Sequence, residues 1–195
     1  MVLERLYGGK CMLEHEKKAL LTKEEYDLLM ASCKGMAVEF QTNYYFDTDD
    51  MYMNRKGITC RIRAKNGTYK TTIKKHGTDC SVEEDLYEGA KFNFTVFGAL
   101  GMHLQGRLIT TRIVLYKDAF CEVVLDRNSY LGYDDFEIEV EYAQECERRA
   151  MKNLKNAAKR LVAADLVDLV ESFMLHIGTG PSKSERFFEK KKSSI

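Results

Sequence analysis

The sequence predicts an α+β fold in which helices cover antiparallel strands that each have one apolar and one charged face. Two observations carry this prediction. Apolar and polar residues alternate with a period of two through most of the chain, which is typical of strands because successive side chains point to opposite faces of a sheet. A capping box in one stretch and apolar residues near helical spacing in another predict helices that cover the sheet.

The helices are predicted from capping residues and spacing. Thr22 followed by Glu25 forms a capping box, which predicts a helix that runs to about Cys33. A second helical region is predicted over about 144–176, with a break at 163–165. The tail after Gly180 is basic and polar, and taken alone it is typical of a flexible chain end.

The strands each have one apolar face and one charged face. Cationic residues fill the charged face of two strands that an Asn66-Gly67 hairpin turn connects, and three glutamates fill it in the last strand. Val82 and Leu86 fix the parity of their strand and so favour Glu83 over Glu84. The main charged-face residues are, in chain order, Glu14, Glu16, Lys18, Arg61, Arg63, Lys70, Lys74, Glu83, Asp85, Arg112, Asp126, Glu137, Glu139 and Glu141.

Two interpretations explain the charged face. An ordinary antiparallel sheet with one face in water produces the same alternation. Rows of like charge, however, repel one another unless something neutralises them. Divalent cations, which prefer oxygen ligands, would neutralise the glutamates, and a polyanion would neutralise the arginines and lysines. A metal-complexed polyphosphate satisfies both requirements.

The composition excludes several classes of function. Lys and Arg number 30 and Asp and Glu number 30, so net charge favours neither a nucleic acid nor an anionic membrane as partner, and we expect neither. The apolar runs fall short of the roughly 18 residues that span a bilayer. Six scattered cysteines without a CxxC pair, and no secretory leader, predict reduced thiols, no structural zinc site and a cytoplasmic protein. A chain of 195 residues predicts one domain.

An ordered set of motifs runs along most of the chain. Residues 14–18 read EHEKK, 43–48 NYYFDT, 60–63 CRIR and 71–74 TTIK, followed by TR at 111–112, LDRN at 125–128 and FEIEVE at 136–141. In this order they resemble the ExExK, YFDT, RIR, LTLK, TxR, LDxN and ELExE elements of the CYTH domain family, the triphosphate tunnel metalloenzymes. The tail is similar to the family's C-terminal KxxRF element through Lys183 and Arg186.

The resemblance implies an eight-stranded antiparallel β-barrel with a polar, charged interior and helices packed outside, which forms a tunnel that binds a triphosphate and two divalent cations, Mg²⁺ or Mn²⁺. It implies that segment 181–195 closes the tunnel wall within a single domain, 1–195. Implied metal ligands are Glu14, Glu16, Glu137 and Glu139, and strand parity adds Glu83 and Asp126. Implied phosphate contacts are Lys18, Arg61, Arg63, Lys74, Arg112, Lys183 and Arg186, and parity adds Lys70. Glu16, Glu139 and Lys18 are the predicted catalytic residues.

The function that the resemblance favours is metal-dependent hydrolysis of a triphosphate, with inorganic tripolyphosphate or polyphosphate as substrate. Three alternatives stay open. A class IV-type adenylate cyclase uses the same tunnel, but no base-specific pocket is recognisable in the sequence. A thiamine triphosphatase is the second alternative, although the absence of Trp removes one possible stacking group for the thiazolium or pyrimidine ring. A noncatalytic polyphosphate-binding module would not need so many carboxylates. A homodimer is left open.

Overall fold

The computed structural model describes residues 11–77, 80–143, 146–161, 176–178 and 180–194. Eight antiparallel strands close into one barrel in the order β1-β5-β4-β3-β2-β6-β7-β8, which confirms the predicted fold class. The strands are β1 Cys11–Leu21, β2 Val38–Asp47, β3 Ile58–Lys65, β4 Thr68–His76, β5 Ser81–Gly89, β6 His103–Lys117, β7 Cys121–Tyr130 and β8 Tyr133–Tyr142. The described helices are α1 Lys23–Ala31, α2 Tyr52–Arg55, α3 Thr95–Ala99, α4 Glu147–Leu161 and α5 Lys183–Lys192.

The predicted helix starts are confirmed in part. The Thr22 side chain accepts a hydrogen bond from the Glu25 backbone N–H, and the Glu25 carboxylate accepts one from Thr22 N–H, so α1 begins with the predicted capping box. Helix α1 ends at Ala31, slightly before the predicted end. Helix α4 occupies part of the second predicted region, while 144–145 and 162–175, the latter with the predicted break, lie outside the described residues.

The tail is helical. Ser182 and Glu185 form a second capping box, and α5 follows it from Lys183 to Lys192. Phe187 and Phe188 of α5 are buried, so the segment that taken alone is typical of a flexible end is in fact packed. A flexible tail would leave both rings in water, whereas burying their apolar surface stabilises the packed helix.

The β3–β4 hairpin has the predicted turn. Asn66 and Gly67 have φ values of 51° and 77°, the left-handed conformation at both central positions that a two-residue type I′ turn requires. Pairing therefore continues from Lys65 opposite Thr68 along both strands. One irregularity, a register shift between Thr71 and Thr72, interrupts the pairing of β4 with β5.

Both faces of the strands are buried, which decides between the two interpretations of the charged face. The apolar face packs under helices, with Leu29 of α1 and Leu154 of α4 in one core with Val123, Ile138 and Val140. The charged face is also shielded from water, with half-buried residues such as Glu14, Glu16, Arg61 and Arg63 beside buried ones. Its buried charged residues are Lys18, Lys74, Glu83, Arg112, Asp126, Glu137 and Glu139. A sheet with a solvated charged face is therefore excluded, and the charges lie inside the barrel.

Contacts group the chain into two halves, which are described separately below. The first half comprises Phe40–Ile109, the chain end from Ser182 and the start of β1 through Glu14. Its apolar core contains Phe46, Ile62 and Phe97. The second half comprises His15–Glu39 and Thr110–Pro181.

The described helices include none with the apolar length that crossing a bilayer requires. The cysteines whose side chains the structure describes, Cys33, Cys60, Cys80, Cys121 and Cys146, are free thiols.

Candidate active site

The cations of the first half stand on the interior face of β3 and β4. The hairpin register places Arg61 opposite Thr72 and Arg63 opposite Lys70, so these side chains share one face. Three ion pairs join the cations to acids of the same half: Arg61 with Glu83 at 2.6 Å, Lys74 with Glu14 at 2.6 Å and Lys70 with Asp85 at 2.9 Å. The Arg63 Nε donates to Asn43 Oδ1 at 3.0 Å. The predicted phosphate-binding residues of these strands are therefore brought together.

Glu83 lies among these cations as an ionised counter-ion. Its side chain is buried, and the structure confirms its interior parity because Glu83 pairs with Lys74 across β4 and β5. Burial by itself raises the pKa of this carboxyl, but the neighbouring charges of Arg61 and Arg63 outweigh burial and lower it below its ordinary value. The sequence predicts Glu83 as a metal ligand. In the structure its side chain pairs with Arg61, and it is not among the three carboxylates that converge in the described part of the chain.

Helix α5 adds further cations to the first half. The Tyr45 ring is almost fully buried and packs against Phe187 at a centroid distance of 4.9 Å. Burial raises the pKa of the Tyr45 phenol, while nearby positive charges oppose that rise. These charges belong to Arg61, Lys183, Arg63 and Arg186. The Tyr45 phenol therefore feels the charge of the two C-terminal residues predicted to bind phosphate as well as that of the two arginines of β3.

A hydroxyl network fixes the start of α5. Thr59 Oγ1 is 2.6 Å from Ser184 Oγ and 2.8 Å from His76 Nε2, and Ser184 Oγ is 3.0 Å from Ser182 Oγ. Sequence reasoning did not select these residues. The parity of β3 does place Thr59 on the same face as Arg61, but a neutral hydroxyl on that face gives no separate signal.

The second half contains a cluster of three buried carboxylates. Asp126 stands opposite Glu137 in the β7–β8 register, and Glu139 lies two residues further along the same face of β8. Each offers a ligand atom, and these atoms lie within 4.8 Å of one another. We call these three residues the acidic cluster. Two of them are fully buried and Glu139 is nearly so, which makes mutual repulsion costly unless cations compensate.

Arg112 and Lys18 supply that compensation in part. Arg112 binds Asp126 with two hydrogen bonds, at 2.9 and 2.7 Å, and lies 3.7 Å from Glu139. Burial disfavours the charged form of Arg112, but Asp126 and the other carboxylates outweigh it and raise its pKa above the ordinary value. Lys18 Nζ is 2.7 Å from Glu16 and 3.5 Å from Glu139. The predicted catalytic residues Glu16, Lys18 and Glu139 are therefore in contact.

A chain of hydrogen bonds from neutral side chains reaches Glu137 of the acidic cluster. Thr110 Oγ1 donates to Asn128 Oδ1 at 2.7 Å, and Asn128 Nδ2 donates to Glu137 Oε1 at 3.3 Å and to Asp135 Oδ1 at 2.9 Å. Thr110, Asn128 and Glu137 are fully buried. The sequence motif at 125–128 includes Asn128, but sequence reasoning assigned it no role and did not select Thr110.

The acidic cluster fits a divalent cation with a preference for oxygen ligands. Its donors are carboxylates only, without the imidazole or thiolate groups that favour zinc, so Mg²⁺ and Mn²⁺ suit it. Three predicted metal ligands, Asp126, Glu137 and Glu139, are thus brought together. The other three make contacts with cations: Glu14 with Lys74, Glu16 with Lys18 and Glu83 with Arg61.

Comparison with known proteins agrees with this geometry. The family model for the CYTH domain matches residues 12–168. A Bacillus subtilis (strain 168) protein provisionally named a triphosphatase, YjbK, is 29% identical over 94% of this chain and 98% of its own length.

Solved structures show the same fold. A provisionally named adenylate cyclase from Bacillus halodurans has a TM-score of 0.66 at 23% identity, covering 91% of this chain and 98% of that one. A provisionally named adenylyl cyclase from Hippeastrum, described as having a dominant triphosphatase activity, has a TM-score of 0.58 at 20% identity, covering 91% and 95%. With a closed eight-stranded barrel, buried interior charges and a family match over most of its length, the chain belongs to the CYTH domain family.

Proposed function

We propose that this chain is a divalent-metal-dependent hydrolase of triphosphates, with inorganic tripolyphosphate as its preferred substrate. The observation that carries the proposal is the acidic cluster, whose three buried carboxylates converge within 4.8 Å beside Arg112 and Lys18. Binding an anion alone requires only cations, and burying three carboxylates in addition is costly. The cluster therefore favours a catalyst over a polyphosphate-binding module, and the provisional name of the Bacillus subtilis relative supports the same activity.

The substrate is held by arginines and lysines. A guanidinium binds phosphate oxygens through paired N–H groups, while a lysine acts as a point charge. The proposed phosphate contacts are Lys18, Arg61, Arg63, Lys70, Lys74, Arg112, Lys183 and Arg186. In the free protein several of these cations are paired with acids, so an entering phosphate competes with Glu83 for Arg61 and with Glu14 for Lys74.

The metal site is proposed to comprise the acidic cluster of Asp126, Glu137 and Glu139 together with Glu14 and Glu16, and to hold two cations, Mg²⁺ or Mn²⁺. Glu83 is proposed to stay the counter-ion of Arg61. When bound, the cations neutralise charge on the phosphate oxygens and orient the attacking water. Lys18, held by Glu16 and Glu139, stays positioned as a cation beside the transferred phosphoryl group. Arg112 orients Asp126 through its two hydrogen bonds.

No side-chain nucleophile is part of the proposed reaction. Phosphoanhydride hydrolysis requires positioning and charge neutralisation more than covalent chemistry. The buried thiol of Cys60 fits this view, because burial raises its pKa to about 12 and so keeps it protonated at neutral pH.

The experiment that tests the proposal is a substrate panel. Phosphate release is measured from tripolyphosphate, ATP and thiamine triphosphate, and cyclic AMP formation from ATP, each with Mg²⁺ and with Mn²⁺ in separate reactions. We expect tripolyphosphate to give the highest kcat/KM and chelation of the metal to abolish turnover.

Other results of the panel identify the alternatives. Cyclic AMP as the main product contradicts the proposal in favour of a cyclase, and preference for thiamine triphosphate corrects the substrate. Tight tripolyphosphate binding without turnover under either metal contradicts catalysis and leaves a binding module.

A further inference from the structure

Three buried side-chain atoms lack a hydrogen-bond partner within the described part of the chain: His15 Nε2, Asn43 Nδ2 and Asp85 Oδ1. His15 lies on the face of β1 opposite to Glu14 and Glu16. Asp85 Oδ1 belongs to a carboxylate whose other oxygen, Oδ2, pairs with Lys70. Asn43 differs from both, because its unpaired group is a strong donor on the charged face of β2, next to a cation.

The orientation of the Asn43 amide is fixed by its neighbour. Arg63 stands directly opposite Asn43 in the β2–β3 register, and its Nε donates to Asn43 Oδ1 at 3.0 Å. A guanidinium has donors only, so a reversed amide would set two donors against each other. The oxygen of Asn43 must therefore face Arg63, and the NH₂ group must point elsewhere.

An unpaired buried donor is costly to a folded protein. Asn43 is fully buried, and a buried N–H without an acceptor loses the hydrogen bonds that it made to water. Such groups are rare in folded proteins, and an absent ligand or water is one explanation of them. Here a cation is in contact, because Arg63 bonds Asn43, and a second arginine, Arg61, lies two residues earlier on the same face of β3, where it pairs with Glu83. The acceptor that suits both the amide and these arginines is an anionic oxygen.

We propose that Asn43 is a further substrate-binding residue, which donates a hydrogen bond from Nδ2 to a phosphate oxygen that Arg63 also contacts. The inference rests on the proposed function, because it assumes a phosphate substrate in the barrel. It adds to that function a neutral donor, which recognises the phosphate oxygen by hydrogen-bond geometry without adding charge.

Two near-isosteric substitutions separate the roles of the amide. Asn43→Leu removes both the Nδ2 donor and the oxygen that accepts from Arg63, and adds no charge. Asn43→Asp keeps an acceptor for Arg63 but replaces the donor with a second carboxylate oxygen. Thr42→Val, on the opposite face of the same strand, is the matched control for disturbance of β2. Asn43→Ala replaces Asn43→Leu if the larger apolar side chain prevents folding.

The measurements are the Kd for tripolyphosphate by calorimetry without divalent metal, KM and kcat with metal, and the thermal unfolding midpoint. We expect Asn43→Leu to raise Kd and KM about tenfold or more and to change kcat little, because a hydrogen bond to a charged acceptor is lost. Asn43→Asp should raise Kd further without lowering the unfolding midpoint, since its carboxylate still pairs with Arg63. A purely structural role would instead lower the midpoint of Asn43→Asp.

The outcomes distinguish this inference from the proposed function. If the wild-type protein binds tripolyphosphate and Asn43→Leu binds it equally well, the inference is wrong and the Asn43 donor is satisfied by water, while the proposed function stands. If the wild-type protein does not bind tripolyphosphate, both are wrong. If Kd rises only in the Asn43 variants and not in Thr42→Val, the inference is supported.

Discussion

The two halves of the barrel solve the problem of buried charge in different ways. In the first half each of three cations, Arg61, Lys70 and Lys74, has its own acidic partner at 2.6 to 2.9 Å. In the second half three carboxylates converge on one another, with Arg112 and Lys18 as cations beside them. The first half thus holds separate acid–base pairs, whereas the second half holds carboxylates grouped within reach of a single ion. The first arrangement suits exchange with a phosphate, and the second suits a divalent cation.

The largest expected effect comes from removing a charge from the acidic cluster. Glu139→Gln is isosteric but neutral, so it removes a carboxylate that contacts Lys18 and Arg112. We expect kcat for tripolyphosphate to fall by about 10²–10³-fold or more with the fold retained, as for other groups that stabilise transition-state charge. Metal-dependent phosphate release and circular dichroism measure the two quantities.

The matched control is Glu141→Gln on the same face of β8. Glu141 lies 3.8 Å from Arg112, but its side chain is 45% exposed, so water screens its charge. We expect a change of less than about threefold in kcat, within the modest value of an exposed ion pair. Equal losses in both variants would show that strand charge in general, and not the acidic cluster, supports turnover.

Thr110→Val tests how the second half holds its carboxylates. It removes the hydroxyl that orients Asn128 and thereby Glu137, while Thr110→Ser keeps it. We expect Thr110→Val to weaken Mn²⁺ affinity about 10–100-fold, the usual effect of removing an outer hydrogen-bond partner of a metal ligand. Thr110→Ser should stay close to wild type. Unchanged Mn²⁺ affinity in Thr110→Val would contradict this role.

Glu83→Gln tests whether the first half is an anion site with an internal counter-ion. Because Arg61 then loses the negative charge of its partner, we expect tripolyphosphate affinity without metal to rise about tenfold, corresponding to about 1.4 kcal/mol. Mn²⁺ affinity should not change. A loss of Mn²⁺ affinity would instead support the sequence prediction that Glu83 is a metal ligand.

The smallest expected effect is on acid stability, in the β6–β7 loop of the second half. The backbone N–H groups of Phe120 and Cys121, with Tyr116 and Arg149, lower the pKa of Asp118 from 3.8 to about 2. Because the folded-state pKa is depressed, this stabilisation is complete above about pH 4 and is lost as the pH falls toward 2.

We therefore expect Asp118→Asn to be less stable than wild type near neutral pH and to approach wild type at about pH 2. Urea unfolding at several pH values measures the difference, and the exposed Asp49→Asn serves as the control. A stability difference that does not depend on pH would contradict the assignment.

Strand parity predicted which charged residues lie inside the barrel, because the side-chain period of two is a local property of the chain. Glu137 and Glu139 share a face for this reason alone. The partners could not be predicted in the same way. The pairing of Arg112 with Asp126 depends on the register of β6 against β7, and residue spacing does not fix that register.

The site residues that the sequence did not identify are mainly neutral ones on the charged face. Parity places Thr59, Asn43 and Thr110 inside, but their roles depend on which group each one meets across the sheet. Helix α5 was also missed, although its signal was present. The sequence from Ser182 to Glu185 has the same S/T-x-x-E pattern that correctly predicted α1 from Thr22 and Glu25.

Binding of a divalent cation by the acidic cluster can be measured by titrating the protein with Mn²⁺ and following electron paramagnetic resonance. Wild-type protein is compared with Glu137→Gln, an isosteric change to a fully buried member of the cluster. We expect Mn²⁺ binding by wild type that weakens at least about tenfold in Glu137→Gln, with Glu141→Gln unchanged. No binding by wild type, or equal affinity in wild type and Glu137→Gln, would contradict metal binding by the acidic cluster.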